Sequence, residues 1–349
     1  GTTNTFSEVQ MAATMQAVVF HGEGKWGIES APLPRIAADD DVLLRVERAS
    51  ICGTDIHILA TPPGHPATPG SILGHEYVAT VAEVGAGIGH LQPGDRVVID
   101  PNITCGLCRY CRMGMTNVCE NMTTLGIFRH GGLAEFNLAP AKSLHKISHE
   151  VSPERATLAE PLSCVLHAFE KAQLMPGESV TILGAGPIGL IFLLLAKTAG
   201  AGKVFMIEPV EFRRRTAEKF GADGAFNPQT GDVAVEIKAS TVVGTDVVID
   251  AAGTLLPEAM QIVRPGGRVI LFGINQHADR QFNQYFTTRY EVTILGSFIQ
   301  RAEFPKVVRL LEAGFQLEKL VTHRLKLKDI GQGMEAMRAG EAIKVVAEP

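Results

Sequence analysis

Residues 179–200 read "SVTILGAGPIGLIFLLLAKTAG": an apolar run of strand length, three glycines, then a long apolar run with helix-like composition. A strand that feeds a helix through Gly184, Gly186 and Gly189 opens a βαβ unit, which commits the chain to a parallel sheet covered by helices. The G-x-G-x-x-G triplet is weak alone, but its flanks give each glycine a task. Gly184 permits a tight turn, Gly186 lets a pyrophosphate approach the backbone, and Gly189 allows close helix–strand packing. Pro187 and Ile188 then open a helix whose N-terminus carries partial positive charge. The run approaches the length of a membrane span, yet the glycines and proline would break such a helix in its middle, so the spanning reading is rejected.

The same texture repeats downstream. "VFMIE", "TDVVIDAAG", "GRVILFGIN" and "VTILGSFI" read as near-continuous apolar strands, separated by helix-like "EFRRRTAEKFG" and "LLPEAMQIV". Strands without polar alternation are buried on both faces, so a doubly wound α/β domain is expected over 166–302. Before it, "QAVVF", "DVLLRVERAS", "YVATVAEVG", "DRVVID" and "LAEFNLAP" are short strands between Gly/Pro-rich turns, a β-rich, barrel-like pattern. One helix is expected over 154–174, another over 304–313, and a last short strand in "IKVVAE". Residues 1–14 form a polar extension, with Met11 or Met15 as candidate starts.

A hydrophobic content of 46% suits a sizeable core, whereas a net charge of −5 and a pI near 6.1 leave no basic surface for nucleic acid or an anionic membrane. A small soluble substrate is the expected partner. No secretory signal precedes residue 20, so a cytoplasmic location is expected.

The strand after the glycine turn ends at Glu208, where a carboxylate can accept hydrogen bonds from an adenosine ribose and repel a 2′-phosphate. This favours NAD. The following Arg213, Arg214 and Arg215 keep NADP as the alternative, since one arginine near that ribose could hold a phosphate.

Four of the six cysteines lie in "CGLCRYCRMGMTNVC", as Cys105, Cys108, Cys111 and Cys119. Disulfides do not persist in a reducing compartment, and the spacing departs from the bacterial iron–sulfur run. Four thiolates this close in sequence fit one tetrahedral zinc with no open coordination position, hence a structural ion. A zinc-ribbon nucleic-acid module would place its ligands as two separated pairs.

Chemistry must then come from residues spread along the chain. Cys52 in "ASICGTDIH", His75 in "LGHEY" and Glu160 in "LAEPLSC" are single ligand-type residues, each with an ordinary buried role open to it. Together with the four-cysteine run and the glycine turn, in this order and spacing, they resemble the zinc-dependent medium-chain alcohol/polyol dehydrogenases over the whole chain from Gln16. "EPLS", "GAGPIGL" and "VTHR" are similar to the sorbitol and butanediol dehydrogenase branch.

That resemblance implies a GroES-like catalytic domain made of residues 15–165 and 303–349, a Rossmann NAD-binding domain over 166–302 and an active site between them. It implies a catalytic zinc on Cys52, His75 and a glutamate, either Glu76 or Glu160, with water completing the sphere, plus the structural zinc on the four cysteines. Zinc would lower the pKa of an alcohol and hydride would pass to the nicotinamide. Thr54 and His57 are implied as the proton's path to solvent, and Asp55 as the partner of the second His75 ring nitrogen. On the cofactor side it implies Glu208 and Arg213 at the adenosine, Ala252 in "DAAG", and Phe272, Gly273, Ile274, Ser297, Phe298 and Ile299 along the nicotinamide. Ile299 stands where mammalian-type sorbitol dehydrogenases carry an arginine, so the pocket is expected to be less polar than a hexitol site. A homo-oligomer, tetramer or dimer, is implied as well. The expected activity is oxidation of a secondary alcohol or polyol to its ketone. An L-threonine 3-dehydrogenase-like oxidation of an amino alcohol and a non-catalytic zinc-binding dinucleotide sensor stay open beside it.

Overall fold

Burial alternates along Asp41–Ser50, where Val42, Leu44 and Val46 point inward, and it is this period-two pattern that makes the segment one wall of a sheet. The computed structural model describes residues 13–349. Most of the expected 1–14 extension, with the candidate start Met11, lies outside the described residues. The chain divides into two compact units, one reaching to Glu160 and resuming at Phe304–Pro349, the other spanning Pro161–Glu303.

In chain order the strands of the first unit begin with β1 (Thr14–Gly22), β2 (Lys25–Pro32), β3 (Asp41–Ser50), β4 (Glu76–Val84) and β5 (Arg96–Ile99). They continue with β6 (Asn102–Ile103), β7 (Thr123–Thr124), β8 (Phe136–Pro140) and β9 (Leu144–Lys146). The second unit holds β10 (Ser179–Leu183), β11 (Lys203–Ile207), β12 (Gly224–Phe226), β13 (Thr245–Asp250), β14 (Val263–Leu271) and β15 (Thr293–Gly296). The chain then returns with β16 (Val321–Lys326) and β17 (Lys344–Glu348).

The first unit is built on the seven-stranded sheet β16-β17-β3-β4-β5-β9, with β8 also paired to β3, and all its pairings except β16–β17 are antiparallel. Its core includes Leu44, Ile51, Ile58, Leu73, Tyr77 and Ile99. The register pairs Ser50 with Glu76 and Val346 with Ser50, so the ends of β3, β4 and β17 converge. Gly74, just before β4, has φ +94°, and a Cβ there would lie 2.6 Å from the Leu133 side chain, so only glycine fits this turn.

The second unit is a six-stranded parallel sheet in the order β12-β11-β10-β13-β14-β15. This is the Rossmann order, with the reversal between β10 and β13. The apolar run weighed as a membrane span is split between β10 and the helix Pro187–Thr198. Among the described residues no helix is long and apolar enough to cross a membrane.

Two sequence expectations change in detail. The helix expected over 154–174 is two helices, Pro153–Thr157 and Ala159–Ala172. Pro161 lacks an amide hydrogen and its ring excludes the carbonyl four residues back, that of Thr157; the first helix therefore stops there and Pro161 falls in the first turn of the second. The strand expected in "VTILGSFI" ends at Gly296, where its pairing with β14 ends, and Ile299 beyond it has φ +39°.

A charged cluster ties β3, β4 and β5 together on the outside of their shared core. Arg96 donates to both Glu47 oxygens at 2.9 and 2.7 Å and to the carbonyls of His149 and Val151 at 3.0 Å each, while Thr80 donates to Glu47 at 2.6 Å. Burial pushes the Glu47 carboxyl up, but Arg96 and Thr80 more than offset it and hold it below the ordinary range. A depressed carboxyl stabilises the fold above its unfolded pKa, and that contribution is lost as pH falls through the folded value. Glu47→Gln is expected to cost about 2 kcal/mol at neutral pH, where it leaves the mostly buried Arg96 without its counter-charge. Urea titrations as a function of pH should show the gap between the two proteins closing in acid; a gap that persists there would place the effect in packing rather than charge.

Candidate active site and cofactor crevice

Antiparallel pairing turns residues distant in sequence into neighbours. Cys52 stands two residues beyond Ser50 at the end of β3, and His75 one residue before Glu76 at the start of β4. Their side chains come together: the ligand atoms of Cys52, His75 and Glu76 all lie within 4.8 Å of one another. His75 and Glu76 are buried and Cys52 is half-buried. A thiolate, an imidazole and a carboxylate form the mixed N/S/O set that suits zinc.

Asp55 organises this set. It is fully buried in the helix Gly53–Ile58; one carboxylate oxygen accepts the Cys52 backbone N–H at 2.8 Å, and the other faces His75 Nδ1 at 3.6 Å. That leaves His75 Nε2 as the nitrogen free to meet Cys52 and an ion. The Asp55 Oδ1 and His75 Nδ1 atoms are buried and make no hydrogen bond. Thr54 is half-buried and His57 exposed on the same short helix, three residues apart, an order that runs from the cluster outward.

Charge in this corner is unbalanced toward the negative. Burial pulls the His75 imidazolium down, yet Cys52, Asp55 and Glu160 together carry its pKa well above the ordinary histidine range. A divalent cation held here would offset those negative charges directly. Glu160, buried in the first turn of the helix Ala159–Ala172, stands outside the compact triple but within electrostatic reach of both His75 and Lys344.

Two residues here escaped sequence reading. Lys344, at the start of β17, is buried, forms a very short ion pair with Glu76 and donates to the Ile51 carbonyl at 3.1 Å. Ser50 makes a very short hydrogen bond to the same Glu76 oxygen. Burial pushes the Glu76 carboxyl up, but Lys344, His75 and Ser50 together more than offset it and hold it below the ordinary range. The available signal was a lysine flanked by apolar residues in the strand "IKVVAE".

The four clustered cysteines are free thiols whose sulfur atoms also lie within 4.8 Å of one another. Cys105 and Cys119 approach to 3.5 Å and Cys108 and Cys119 to 4.0 Å, around the ~3.8 Å edge of a zinc–thiolate tetrahedron. Backbone amides of Cys108 and Leu107 donate to the Cys105 sulfur at 3.3 and 3.4 Å and push that thiol down to about 6. Desolvation and the neighbouring sulfurs push Cys111 up to about 12, as expected where four thiols cannot all ionise without a cation among them.

In the parallel sheet the predicted cofactor residues share one position: each lies at or just beyond the C-terminal end of a strand. Gly184 to Gly189 follow β10, Glu208 follows β11, Ala252 follows β13, Phe272 to Ile274 follow β14 and Ser297 to Ile299 follow β15. This edge, at the point where strand order reverses, is where such sheets bind ligands. A Cβ on Gly189 would sit 1.9 Å from the Gly184 carbonyl oxygen, which accounts for that glycine by packing. A Cβ on Gly186 would meet nothing within 4 Å, so its lack of a side chain leaves open space over the helix N-terminus.

Glu208 is buried and fixed, accepting the amides of Ala185 at 2.9 Å and Val210 at 3.0 Å. The three arginines differ. Arg214 donates to the Glu208 and Pro209 carbonyls and Arg215 pairs with Glu211, whereas Arg213 stands 3.9 Å from the Glu208 carboxylate. Asp250 binds the amides of Ala252, Gly253 and Leu255, shaping the turn that presents Ala252. Segment 296–303 is clamped by three side chains of one helix: Lys171 to the Gly296 carbonyl at 2.6 Å, Cys164 to Gln300 at 3.1 Å, and His167 to Glu303 at 2.9 Å. Within that segment Ile299 has a positive φ that β-branched residues avoid.

Two family models match the chain: the alcohol dehydrogenase GroES-like domain over residues 38–149 and the zinc-binding dehydrogenase model over residues 187–313. The L-threonine 3-dehydrogenase of Caldanaerobacter subterraneus subsp. tengcongensis is 34% identical over 97% of this chain and 100% of its own. A structure from Sinorhizobium meliloti 1021, bound to NADP, superposes with a TM-score of 0.91 at 33% identity, covering 97% of this chain and 100% of that one. The 2R,3R-butanediol dehydrogenase from Bacillus subtilis superposes with a TM-score of 0.89 at 29% identity, covering 96% of this chain and 99% of that one. With its GroES-like unit, its parallel Rossmann sheet and these relatives, the chain belongs to the zinc-dependent medium-chain alcohol/polyol dehydrogenases and is an NAD(P)-linked oxidoreductase.

Proposed function

We propose that this protein oxidises a secondary alcohol, as such or within a polyol, to its ketone with NAD as hydride acceptor, using a zinc held at Cys52 and His75. The convergence of Cys52, His75 and Glu76 carries this reading, because a dinucleotide sensor that kept only the four-cysteine lobe and the glycine turn would have no use for it. Zinc bound there would supply the Lewis acidity that lets an alcohol lose its proton near neutral pH.

The chain's own groups do the rest. Asp55 fixes the His75 ring, Thr54 accepts the substrate's proton through its hydroxyl, and exposed His57 hands it to solvent. Gly186 and the helix N-terminus would hold the pyrophosphate, Glu208 would accept from the ribose hydroxyls, and Phe272 to Ile274 and Ser297 to Ile299 would line the nicotinamide. Cys105, Cys108, Cys111 and Cys119 would hold a structural zinc that supplies stability to their lobe and no chemistry to the reaction. Edge strand β15, hydrogen-bonded on one side only, suits a homo-oligomer that continues the sheet.

L-threonine enters as the second substrate reading, favoured by the curated relatives that bear its name. Its 3-hydroxyl is itself a secondary alcohol, so the two readings share one chemistry and differ only in the pocket. A panel of butanediol, xylitol, sorbitol and L-threonine with NAD is expected to show highest kcat/KM on the short diol or on threonine, and lowest on the hexitol. Sorbitol as best substrate would contradict the apolar reading of Ile299.

Metal analysis separates the two ions. Wild type is expected to carry two zinc ions per chain; Cys52→Ser should lose one, with activity, while keeping its fold and NADH binding. Cys119→Ser should lose the other and lower the thermal midpoint. One zinc in wild type, lost in Cys119→Ser and kept in Cys52→Ser, would end the proposal.

Cofactor choice rests on the fixed carboxylate of Glu208, although the Sinorhizobium meliloti relative was solved with NADP. Glu208→Ala should raise KM for NAD roughly tenfold and leave Arg213 free to accept a 2′-phosphate, narrowing the preference over NADP. An unchanged cofactor ratio would remove Glu208 from the ribose.

A further inference from the structure

Lys344 is a buried lysine packed against a metal-ligand set, a placement that ordinarily weakens cation binding. Its Nζ pairs with Glu76, and a second bond to the Ile51 carbonyl keeps it there. Ser50 supplies another donor to the Glu76 oxygen that Lys344 contacts, so this oxygen is doubly engaged while the carboxylate still lies within 4.8 Å of the Cys52 and His75 ligand atoms. The three backbones that carry these groups are pinned by sheet register, Ser50 opposite both Glu76 and Val346. The lysine cannot swing away without disturbing that end of the sheet.

We propose that Lys344 is a positioning residue which withdraws the charge of Glu76 from the catalytic cation, so that this ion is held less tightly than the buried acidic groups around it would otherwise hold it. Rationale follows from what a catalytic ion must do. Each additional anionic ligand lowers Lewis acidity and closes a coordination position, and catalysis needs both an acidic ion and an exchangeable position. Cys52, Asp55 and Glu76 gather three acidic groups around the candidate ion position, and Lys344 sets a positive charge against Glu76, the carboxylate it contacts. The inference rests on the reading that Cys52 and His75 hold the catalytic zinc.

Charge bookkeeping gives an order that a purely structural lysine would not produce. Lys344→Met leaves Glu76 uncompensated beside the ion and should slow zinc release. Glu76→Gln leaves Lys344 uncompensated and should speed it. The double variant restores neutrality and should fall near wild type, as should Lys344→Arg, which keeps the charge. Outer-sphere partners of this kind change metal affinity by roughly 10–100-fold, and the two single variants should depart from wild type by that amount in opposite directions.

The measurement is the rate of zinc transfer from the full-length protein to a chromogenic chelator, with the four-cysteine ion as an internal reference that none of these variants touches. Cobalt substitution gives a second readout, since a gained carboxylate ligand in Lys344→Met would change the visible cobalt spectrum. Faster release from Lys344→Met with far-UV circular dichroism unchanged would overturn the proposal, as would release rates that rise in all the variants. If Lys344→Met does not fold, the comparison of Glu76→Gln with the double variant still decides: removing the lysine must slow release there. A wild-type protein with only the four-cysteine ion would instead defeat the underlying reading of the Cys52–His75 site.

Discussion

The pairing of Ser50 with Glu76 across β3 and β4 is the constraint on which the catalytic corner depends. One step past that pair on either strand stand Ile51 and His75, and the next residue of β3's continuation is Cys52. A slip of one residue would turn every side chain on the moved strand to the opposite face, taking Leu44 and Val46 out of the core and separating Cys52 from His75. The hydrophobic alternation that makes the sheet therefore also sets the spacing of Cys52, His75 and Glu76. Gly74 protects the same register, because the close approach of Leu133 leaves no room for a side chain at the turn entering β4.

The cofactor crevice is positioned by a different rule. All strands of the second unit run parallel, so their carboxyl ends share one edge, and every segment that follows a strand is delivered to that edge by topology alone. What the chain adds is local fixing: Glu208 by two backbone amides, the turn after β13 by Asp250, and segment 296–303 by Lys171, Cys164 and His167. Side chains on one helix thus hold the segment that carries Ile299. Rigid support of this kind is what a hydride acceptor requires, since small errors of orientation are costly in rate.

Legibility in the sequence followed the range of the interactions. The glycine turn and the four-cysteine loop are local, their geometry is written in spacing, and both were readable from a few consecutive residues. The parallel sheet was legible in apolar runs alternating with helices, whereas its strand order is visible only in the fold. Cys52, His75 and Glu160 became candidates only through resemblance, because nothing within either short segment says that the other is near. Lys344 stayed invisible for a stronger reason: its partner Glu76 is far away in the chain, and a lysine near the end of a protein reads as a solvated charge until pairing of β17 with β3 buries it. The break at Leu158 was readable from Pro161 and was passed over because the apolar periodicity continues through it.

The two cysteine-containing sites show how one ion can be given two tasks by its surroundings. Around Cys105, Cys108, Cys111 and Cys119 the donors are alike and are steadied by backbone amides on the sulfurs, so a bound cation would be enclosed and chemically idle. Around Cys52 and His75 the donors are mixed, set among acidic groups and opposed by a lysine. The first arrangement maximises retention. The second would trade retention for acidity and an open position, a difference that follows from its mixed donors and from the lysine set against Glu76.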